Sequence, residues 1–306
     1  MDHVQAVKSR MPGLVPVVKG NGYGFRRWNL MSLASQLATE VCVGTVYEVK
    51  ETPPTVTPIV LTPTMTPPPK AMSESAILTV GSIHHVVALE SAGWSGRVMV
   101  KLQSSMRRYG VAPDALDELR TAITAAKMTI HGYAIHPPLA GDQKDHVTDV
   151  QRWLEKIPSS SPVYVSHLDA RAYAFLIKSN KSHTFRIRLG TTLWHGDKSM
   201  MQLSADVVDR HPAEIGDVAG YQLTPVTGPG EIVMVGAGTA HGIRIHDDGR
   251  SPFHYQRQRL NMLEPPHMHT SMLYMARGRP APAVGEWIDV QRPLTQVHVD
   301  LLQWIR

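Results

Sequence analysis

Cysteine and long apolar runs are the scarcest features of this 306-residue sequence. Cys42 is its one cysteine, so an intramolecular disulfide cannot form, and a reducing, cytoplasmic compartment is the expected location. No stretch approaches the roughly 18 apolar residues that a membrane span needs, and the first twenty residues contain no apolar core of a secretory signal. The sequence therefore predicts a cytoplasmic protein without a membrane partner.

Charge of one sign is also scarce. The chain has 31 basic and 26 acidic residues, a net charge of +5, and its adjacent arginines form only the short pairs at 26–27 and 107–108. Proteins that bind nucleic acids usually carry longer basic runs or patches. We therefore expect no nucleic-acid partner, and the charge balance favours a small anionic ligand.

The first two thirds of the chain alternate between two patterns. Short apolar, β-branched runs typical of buried strands occupy residues 14–18, 41–45, 58–62, 78–82, 97–101, 129–135, 162–165 and 184–188. Helical spacing of apolar residues lies between them, for example at 28–39, 112–126, 146–157 and 168–179. This α/β alternation predicts a small (β/α)8 barrel, in which active sites lie where strands end. The run at 58–62 could instead be a loop, because seven of the 23 prolines fall in residues 52–69.

After residue 195 the helical periodicity fades. Strand-like runs at 218–226, 231–235, 288–291 and 297–301 are separated by turns rich in glycine and proline. We therefore predict a (β/α)8 barrel over residues 1–197, followed by a smaller, mostly β C-terminal domain over residues 198–306.

The most informative peptide is Val-Val-Lys-Gly-Asn-Gly-Tyr-Gly, residues 17–24, at the end of the first predicted strand. A lysine at a strand end can direct its amine into the barrel mouth, where it binds phosphate or forms a Schiff base with a carbonyl group or pyridoxal phosphate. A dinucleotide-binding loop is excluded, because the third glycine follows the second by two residues instead of three. A solvent-facing lysine beside a turn is the alternative explanation of Lys19.

This peptide is similar to the V-V-K-A-x-A-Y-G peptide of the alanine racemases. Residues 101–110 resemble the family's K-x-D-T-G-M-x-R-x-G peptide, residues 132–136 resemble its histidine-ending strand, and residues 185–191 resemble its R-x-G peptide. The four peptides follow the family's order and cover about residues 14 to 195. The resemblance implies a barrel with a C-terminal β domain, pyridoxal 5'-phosphate as cofactor, and a head-to-tail homodimer with shared active sites.

The resemblance also implies roles for the matched residues. Lys19 would carry the cofactor and act as one acid/base, Arg108 would steer the substrate carboxylate, and Arg188 would hold the ring nitrogen. Further cofactor contacts would come from the phosphate-binding and ring-binding positions, which are Tyr23, His136, Gly190 and Thr191.

Other positions match the family more loosely. Leu61, Ser166 and His167 end predicted strands and are further candidates for cofactor contact, while Lys101 matches a lysine that is carbamylated in many members. Taken singly, Leu61 could be ordinary core. Likewise, Arg188 could form a salt bridge at the barrel bottom and His136 could be an ordinary hydrogen-bonded histidine.

Two peptides of the predicted β domain depart from the family pattern. The family's second base is a tyrosine of the partner subunit in a G-Y-A-D-G peptide, and residues 236–242 put Thr239 at that position and His241 at the aspartate position. Threonine does not titrate near neutrality, whereas histidine does. His241 is therefore the predicted catalytic residue on the second face of the cofactor.

The family's C-M-D peptide corresponds to residues 267–269, His-Met-His. The match makes Met268 and His269 substrate contacts, and it makes His269 an alternative second base. His267 and His269 would share one face of a strand, but two histidines are too few for a metal site, so no metal is predicted. Gln103 likewise replaces an aspartate of the family.

Three functions stay open, and an amino-acid racemase acting on a small L- or D-amino acid is the first choice. If Lys19 acts alone, the reaction would be that of a D-amino-acid aldolase, dehydratase or decarboxylase of the same fold, with or without a metal. Because Thr239 replaces the tyrosine, a catalytically degenerate pyridoxal-phosphate-binding protein is the third alternative.

Overall fold

A computed structural model of the protein describes residues 2–304. The chain divides into two compact units, Met1–Gly196 and Asp197–Arg306. The strands of the first unit are β1 (Leu14–Pro16), β2 (Glu40–Val43), β3 (Thr57–Val60), β4 (Ile77–Val80), β5 (Arg97–Lys101), β6 (Thr129–Ala134), β7 (Val163–Val165) and β8 (Phe185–Leu189). Its helices are α1 (Asp2–Arg10), α2 (Arg27–Leu37), α3 (Ile83–Ser91), α4 (Leu116–Ala125), α5 (Gln143–Leu154), α6 (Ala170–Ser179) and the single-turn α7 (Thr191–Trp194).

These eight strands form one parallel sheet in the order β1-β8-β7-β6-β5-β4-β3-β2. Its two edges meet where Val17 pairs in parallel with Cys42, and the N–H of Val18 donates to the Cys42 carbonyl at 2.8 Å. The sheet therefore closes into a barrel, and the predicted (β/α)8 fold is confirmed. Proline-flanked β3 is one of the eight strands.

The barrel strands are apolar along their length because helices cover them outside and side chains fill them inside. Val98, Val100 and Ile187, for example, are fully buried. Helix α1 buries no side chain, so it has no apolar periodicity by which the sequence could reveal it. No helix within residues 2–304 has the length and apolarity required to cross a bilayer.

The second unit is built on an antiparallel sheet, as the sequence predicts. Its strands are β9 (Ser204–Ala213), β10 (Val218–Ala219), β11 (Thr224–Pro225), β12 (Gly230–Val235), β13 (Phe253–Tyr255), β14 (Gln258–Arg259), β15 (Asn261–Met262), β16 (Ser271–Ala276) and β17 (Trp287–Val290). Seven of them are ordered β14-β13-β17-β9-β12-β16-β15, and β10 pairs with β11 as a separate ribbon.

The predicted strand bounds in this unit are partly wrong. Residues 231–235 and 288–291 lie in β12 and β17, but residues 218–226 are a ribbon interrupted by a turn, and residues 297–301 form no strand. The alternating pattern of residues 297–301 is misleading because the segment packs on a loop, where the His298 N–H donates to the His241 carbonyl at 3.2 Å. The long strand β9 was not predicted, because polar residues interrupt its apolar positions.

A buried polar cluster links three barrel strands. Tyr164 of β7 donates its hydroxyl hydrogen to Oε2 of Glu40 at the start of β2, at 2.8 Å, and Nε2 of His131 in β6 lies 2.8 Å from Oε1. Burial opposes ionisation of Glu40, but the hydrogen bonds from His131 and Tyr164 outweigh it and lower the pKa of the carboxyl group below its ordinary value of 4.5. At pH values above 4.5 the charged form of Glu40 therefore stabilises the fold. This contribution is lost as pH falls through the depressed pKa of Glu40.

Replacing Tyr164 with phenylalanine is expected to destabilise the barrel by about 1–2 kcal/mol at neutral pH, because the carboxylate loses a charge-assisted donor. The deficit should shrink as pH falls through the depressed pKa of Glu40, because the protonated carboxyl group no longer receives a charge-assisted hydrogen bond from Tyr164. Urea unfolding followed by circular dichroism at several pH values measures it. Tyr173→Phe is the matched control, because the Tyr173 hydroxyl donates to the Pro12 carbonyl at 2.7 Å and touches no carboxylate. Equal pH profiles for the two variants would contradict this account of Glu40.

Candidate active site

Lys19 lies just beyond the carboxyl end of β1, which is the end at which barrels of this type hold their active sites. The Val17 N–H donates to the Leu189 carbonyl at 2.8 Å, which fixes the strand against β8 immediately before the lysine. The Gly22 N–H then donates to the Lys19 carbonyl at 3.0 Å and closes a tight turn. Gly20 has a φ of +60° in this turn, a conformation that favours glycine. The lysine side chain is thereby carried to the rim of the barrel, where it reaches solvent.

The surroundings of Lys19 are mostly positive. Burial by the surrounding protein and the charge of Arg108 lower the pKa of the amine, Glu48 and the thiol of Cys42 raise it, and Arg188 lowers it further. The net shift is downward, so a larger fraction of the amine is unprotonated near neutral pH than for a free lysine. An unprotonated amine is the form that attacks a carbonyl group.

Arg188 is a buried charged residue of the barrel. It pairs in register with Val15 of β1, and its Nη2 donates to the Ile135 carbonyl at 2.7 Å. Its Nε is buried and has no hydrogen-bond partner among residues 2–304. Burial lowers the pKa of Arg188, but a guanidinium keeps its proton in proteins. A buried donor without a partner costs about 1–3 kcal/mol, so this atom is suited to an acceptor that the chain itself does not supply.

Two histidines lie side by side after β6 and β7. The ring centroids of His136 and His167 are 4.3 Å apart, and the Ser104 hydroxyl donates to the His136 carbonyl at 2.7 Å. Burial, followed by the charges of Arg188 and Lys101, lowers the pKa of His136, so this imidazole is neutral. Ser166, the residue before His167, is buried at the same end of the barrel.

Tyr23 crosses the start of α7. A Cβ atom on Gly190 would lie 2.0 Å from the Tyr23 hydroxyl oxygen, so the phenol occupies space that only a glycine leaves open. His195 holds the tyrosine in place, because its Nε2 lies 2.7 Å from the Tyr23 carbonyl and the two rings pack edge to face. Thr191, the exposed first residue of α7, follows Gly190 directly. Together they form a small cradle with a hydroxyl group at the beginning of a helical turn, a geometry suited to an anion.

Three more predicted residues lie around the same barrel mouth. Arg108 is exposed, with its guanidinium 4.8 Å from the ring centroid of Tyr109. The Tyr109 hydroxyl is 3.5 Å from the carbonyl oxygen of Leu61, whose half-buried side chain packs at the edge of the core. Lys101 is buried, and burial together with Arg188 and Arg108 lowers its pKa well below the ordinary value. The charges of Arg108 and Arg188 act on Lys19, Lys101 and His136 alike, so these five side chains share one electrostatic environment.

The predicted residues of the second unit form a separate cluster. Nδ1 of His241 accepts the Gly238 N–H at 3.0 Å, so the proton lies on Nε2, which donates to Asp300 at 3.0 Å. The exposed imidazole of His269 lies edge-on to His241, with ring centroids 5.7 Å apart. The Thr239 N–H donates to the His267 carbonyl at 2.8 Å, so the two altered peptides lie side by side. Met268 is exposed beside them.

His267 and His269 do not share the face of a strand, contrary to the sequence interpretation. They lie in the loop between β15 and β16. His267 bonds to the buried carboxylate of Glu264 and stacks on Tyr221 with ring centroids 4.2 Å apart, whereas His269 lies against His241. Within residues 2–304 no group of three or more histidine, cysteine, aspartate or glutamate side chains is arranged to hold a metal ion.

Sequence reasoning missed two residues that shape the barrel site. In the sequence, His195 marks only the end of the predicted barrel. Glu48 belongs to no recognisable motif. Their roles depend on contacts with backbone groups more than twenty residues away, which spacing along the chain does not reveal.

Comparison with known proteins agrees with the barrel fold and the C-terminal β domain. The family model described as "Alanine racemase, N-terminal domain" matches residues 1–197, and no curated protein matches the chain. Among solved structures, alanine racemase of Bacillus anthracis with bound L-Ala-P superposes with a TM-score of 0.72 at 17% identity, covering 94% of this chain and 82% of the other. The alanine racemase of Clostridium difficile gives 0.69 at 15% identity, covering 97% and 90%. The enzyme from Bartonella henselae with covalently bound pyridoxal phosphate gives 0.67 at 16% identity, covering 95% and 88%.

Proposed function

The chain belongs to the alanine racemase family through its N-terminal domain, and we propose that it is a pyridoxal-phosphate-dependent amino-acid racemase of the cytoplasm. The substrate would be a small amino acid whose L and D forms are interconverted by removal and return of the α-proton. At identities of 14–19% the solved structures share a fold with this chain, so the activity has to be argued from its own residues.

The observation that carries the proposal is the buried Nε of Arg188. Among residues 2–304 this atom has no hydrogen-bond partner, and the same end of the barrel holds the Lys19 amine, whose pKa is lowered, and the Tyr23 hydroxyl group packed against Gly190. A pyridine nitrogen is an acceptor that fits this donor, an aldehyde fits the Lys19 amine, and a phosphate group fits the Tyr23 hydroxyl with the backbone at Gly190 and Thr191. His136 would lie beside the ring, with Leu61, Ser166 and His167 as further contacts. The residues present therefore fit pyridoxal 5'-phosphate.

When bound, pyridoxal phosphate withdraws electrons from the α-carbon of an attached amino acid and makes its proton removable. Arg188 keeps its own proton, so it offers the ring a hydrogen bond without protonating it. This moderates the electron withdrawal and favours rapid return of the α-proton over transfer of the amino group. Lys19 would take or return that proton on one face, and the exposed guanidinium of Arg108 would hold the substrate carboxylate.

Racemisation needs a second acid/base on the opposite face, and we propose that it belongs to the His241 and His269 pair. As in the family, it would be supplied by the partner subunit of a homodimer. His241 has the orienting carboxylate of Asp300, but both of its nitrogens are engaged. His269 is the more exposed imidazole. His241 would act as a base only after its Nδ1 is released from the Gly238 N–H. Otherwise it would pack beside His269, which would then be the base, with Met268 next to it.

Substituting the second base with glutamine should slow α-deuterium exchange from one enantiomer by roughly tenfold more than from the other, because Lys19 still serves its own face. His241→Gln and His269→Gln, compared by NMR in D2O with each enantiomer of alanine, identify the residue. His254→Gln, on β13 of the same unit, is the control. A symmetric loss in both variants would exclude the pair from one-sided proton transfer.

Thr239, at the position of the family tyrosine, keeps two other functions open, namely another reaction of Lys19 alone and cofactor binding without catalysis. Both are tested together with racemisation. Incubating the protein and pyridoxal phosphate with each of the twenty amino acids, followed by chiral chromatography, reports the inverted amino acid that a racemase yields. Glycine plus an aldehyde would instead indicate an aldolase, and a carbonyl product or amine would indicate a dehydratase or a decarboxylase. Bound cofactor without any exchange of the α-proton would indicate a degenerate binding protein.

A further inference from the structure

Glu48 joins the ends of two barrel strands beside Lys19. It lies in the six-residue 3₁₀ helix Val46–Glu51 that follows β2. Its Oε1 accepts the Gly20 N–H at 3.1 Å and its Oε2 accepts the Gly44 N–H at 2.7 Å. Gly20 directly follows Lys19 and Gly44 directly follows β2, so one half-buried carboxylate fixes the peptide of the lysine against the neighbouring strand.

Arg27 holds the other side of the same residue. Its Nη1 donates to the Gly20 carbonyl and lies 3.9 Å from Glu48 Oε1. Its Nε donates to Glu51 at 2.9 Å. Both the N–H and the carbonyl of Gly20 are therefore bound to charged side chains, a degree of constraint that an ordinary surface turn does not need.

The Glu48 carboxylate occupies space that Gly44 leaves open because it has no side chain. A Cβ atom on Gly44 would lie 2.9 Å from Oε2 and 3.1 Å from Oε1 of Glu48. A larger residue at position 44 would therefore push the Glu48 carboxylate away from its place between the two N–H groups.

We propose that Glu48 is a positioning residue for Lys19, because its carboxylate fixes the peptide that follows the lysine and places a negative charge beside the lysine amine. The inference rests on the role proposed for Lys19. The other groups that act on this amine are the guanidinium groups of Arg108 and Arg188 and the buried thiol of Cys42. Burial and the two arginines lower the pKa of Lys19, and Glu48 counteracts them.

The pH dependence of Lys19 acylation tests the proposal without any cofactor. The full-length, cofactor-free protein is treated with trace acetic anhydride from pH 6 to 11, and modification of the Lys19 peptide is followed by mass spectrometry. Glu48→Gln should shift the profile to lower pH, so that Lys19 reacts roughly threefold faster below its pKa, because the opposing charge is lost. Glu51→Gln is the control, since it removes the same charge from the same segment but contacts neither Gly20 nor Gly44 and is linked to Gly20 only through Arg27.

Glu48→Asp separates the two parts of the proposal. It retains the charge but is too short to reach both N–H groups, so the profile should stay near that of the parent while borohydride-trapped pyridoxal phosphate on Lys19 decreases. Circular dichroism shows whether each variant is folded. If Glu48→Gln does not fold, the comparison of Glu48→Asp with the parent tests the proposal. Identical profiles in the parent and Glu48→Gln proteins, or an equal shift in Glu51→Gln, would overturn the role of Glu48. Because acylation needs no cofactor, absence of cofactor binding would refute the racemase proposal alone.

Discussion

Replacing Lys19 with alanine is expected to abolish covalent attachment of pyridoxal phosphate and to reduce α-proton exchange by on the order of 10⁴-fold or more, the scale seen when a catalytic nucleophile or base is removed. Lys19 is the exposed amine proposed to bind the cofactor, and burial together with Arg108 and the buried Arg188 lowers its pKa. The measurement is the mass of the protein after incubation with the cofactor and reduction with borohydride. The parent protein should gain one cofactor at the Lys19 peptide, and the variant none.

Lys101→Met is the matched control for this experiment. Lys101 shares the positive surroundings of Lys19, and its pKa is also lowered, so it is the other amine able to react at this end of the barrel. In Lys101→Met the cofactor should still be attached to Lys19. The rate of α-proton exchange should at most be reduced. A stoichiometric amount of reduced cofactor on the Lys19→Ala protein, or cofactor found on Lys101 in the parent, would disprove the assignment of the cofactor lysine.

Substituting Gly190 with alanine is expected to weaken binding of pyridoxal phosphate by about a hundredfold. The added methyl group would lie 2.0 Å from the Tyr23 hydroxyl oxygen and 2.5 Å from its Cζ. Tyr23 cannot simply retreat, because its side chain is buried and its carbonyl is held by His195. Overpacking of this kind costs about 1–3 kcal/mol, and a hundredfold change in Kd corresponds to about 2.8 kcal/mol.

Fluorescence or absorbance titration with the cofactor measures this loss. Thr192→Ala, two residues along in α7 and exposed, is the control and should bind as the parent does. Inorganic phosphate added as a competitor should displace the cofactor from the parent more effectively than equimolar chloride. Unchanged affinity in Gly190→Ala would show that the cradle formed by Tyr23 and Gly190 does not hold the phosphate group.

The barrel was predictable because its strands are buried on both faces and their ends carry polar side chains. Each short apolar run from residue 14 to residue 188 corresponds to a strand, within a few residues at each end. In the second unit the same reasoning fails for β9, where solvent exposure on one face allows Asp209, Arg210 and His211 to interrupt the pattern. It also fails for residues 297–301, where an alternating pattern belongs to a segment that packs on a loop.

The candidate site was predictable to the extent that its residues lie in recognisable peptides. Lys19, His136 and Arg188 belong to such peptides, and the fold brings them to one end of the barrel. Glu48 and His195 could not be found in this way, because each acts through backbone groups of a distant turn. His241 and Asp300 meet through a contact across 59 residues. The sequence does not specify this contact, because neither residue lies in a strand.

The closing seam of the barrel has a consequence for biosynthesis. The strand that carries Lys19 pairs with β8 on one side and touches β2 through Val17 and Cys42 on the other. Its principal partner therefore emerges from the ribosome some 170 residues after it, and pairings so distant along the chain form slowly. A nascent chain or proteolytic fragment that includes Lys19 but ends before β8 lacks the strand that pairs with β1. We therefore expect such a product to be inactive, even if it retains most of the molecule.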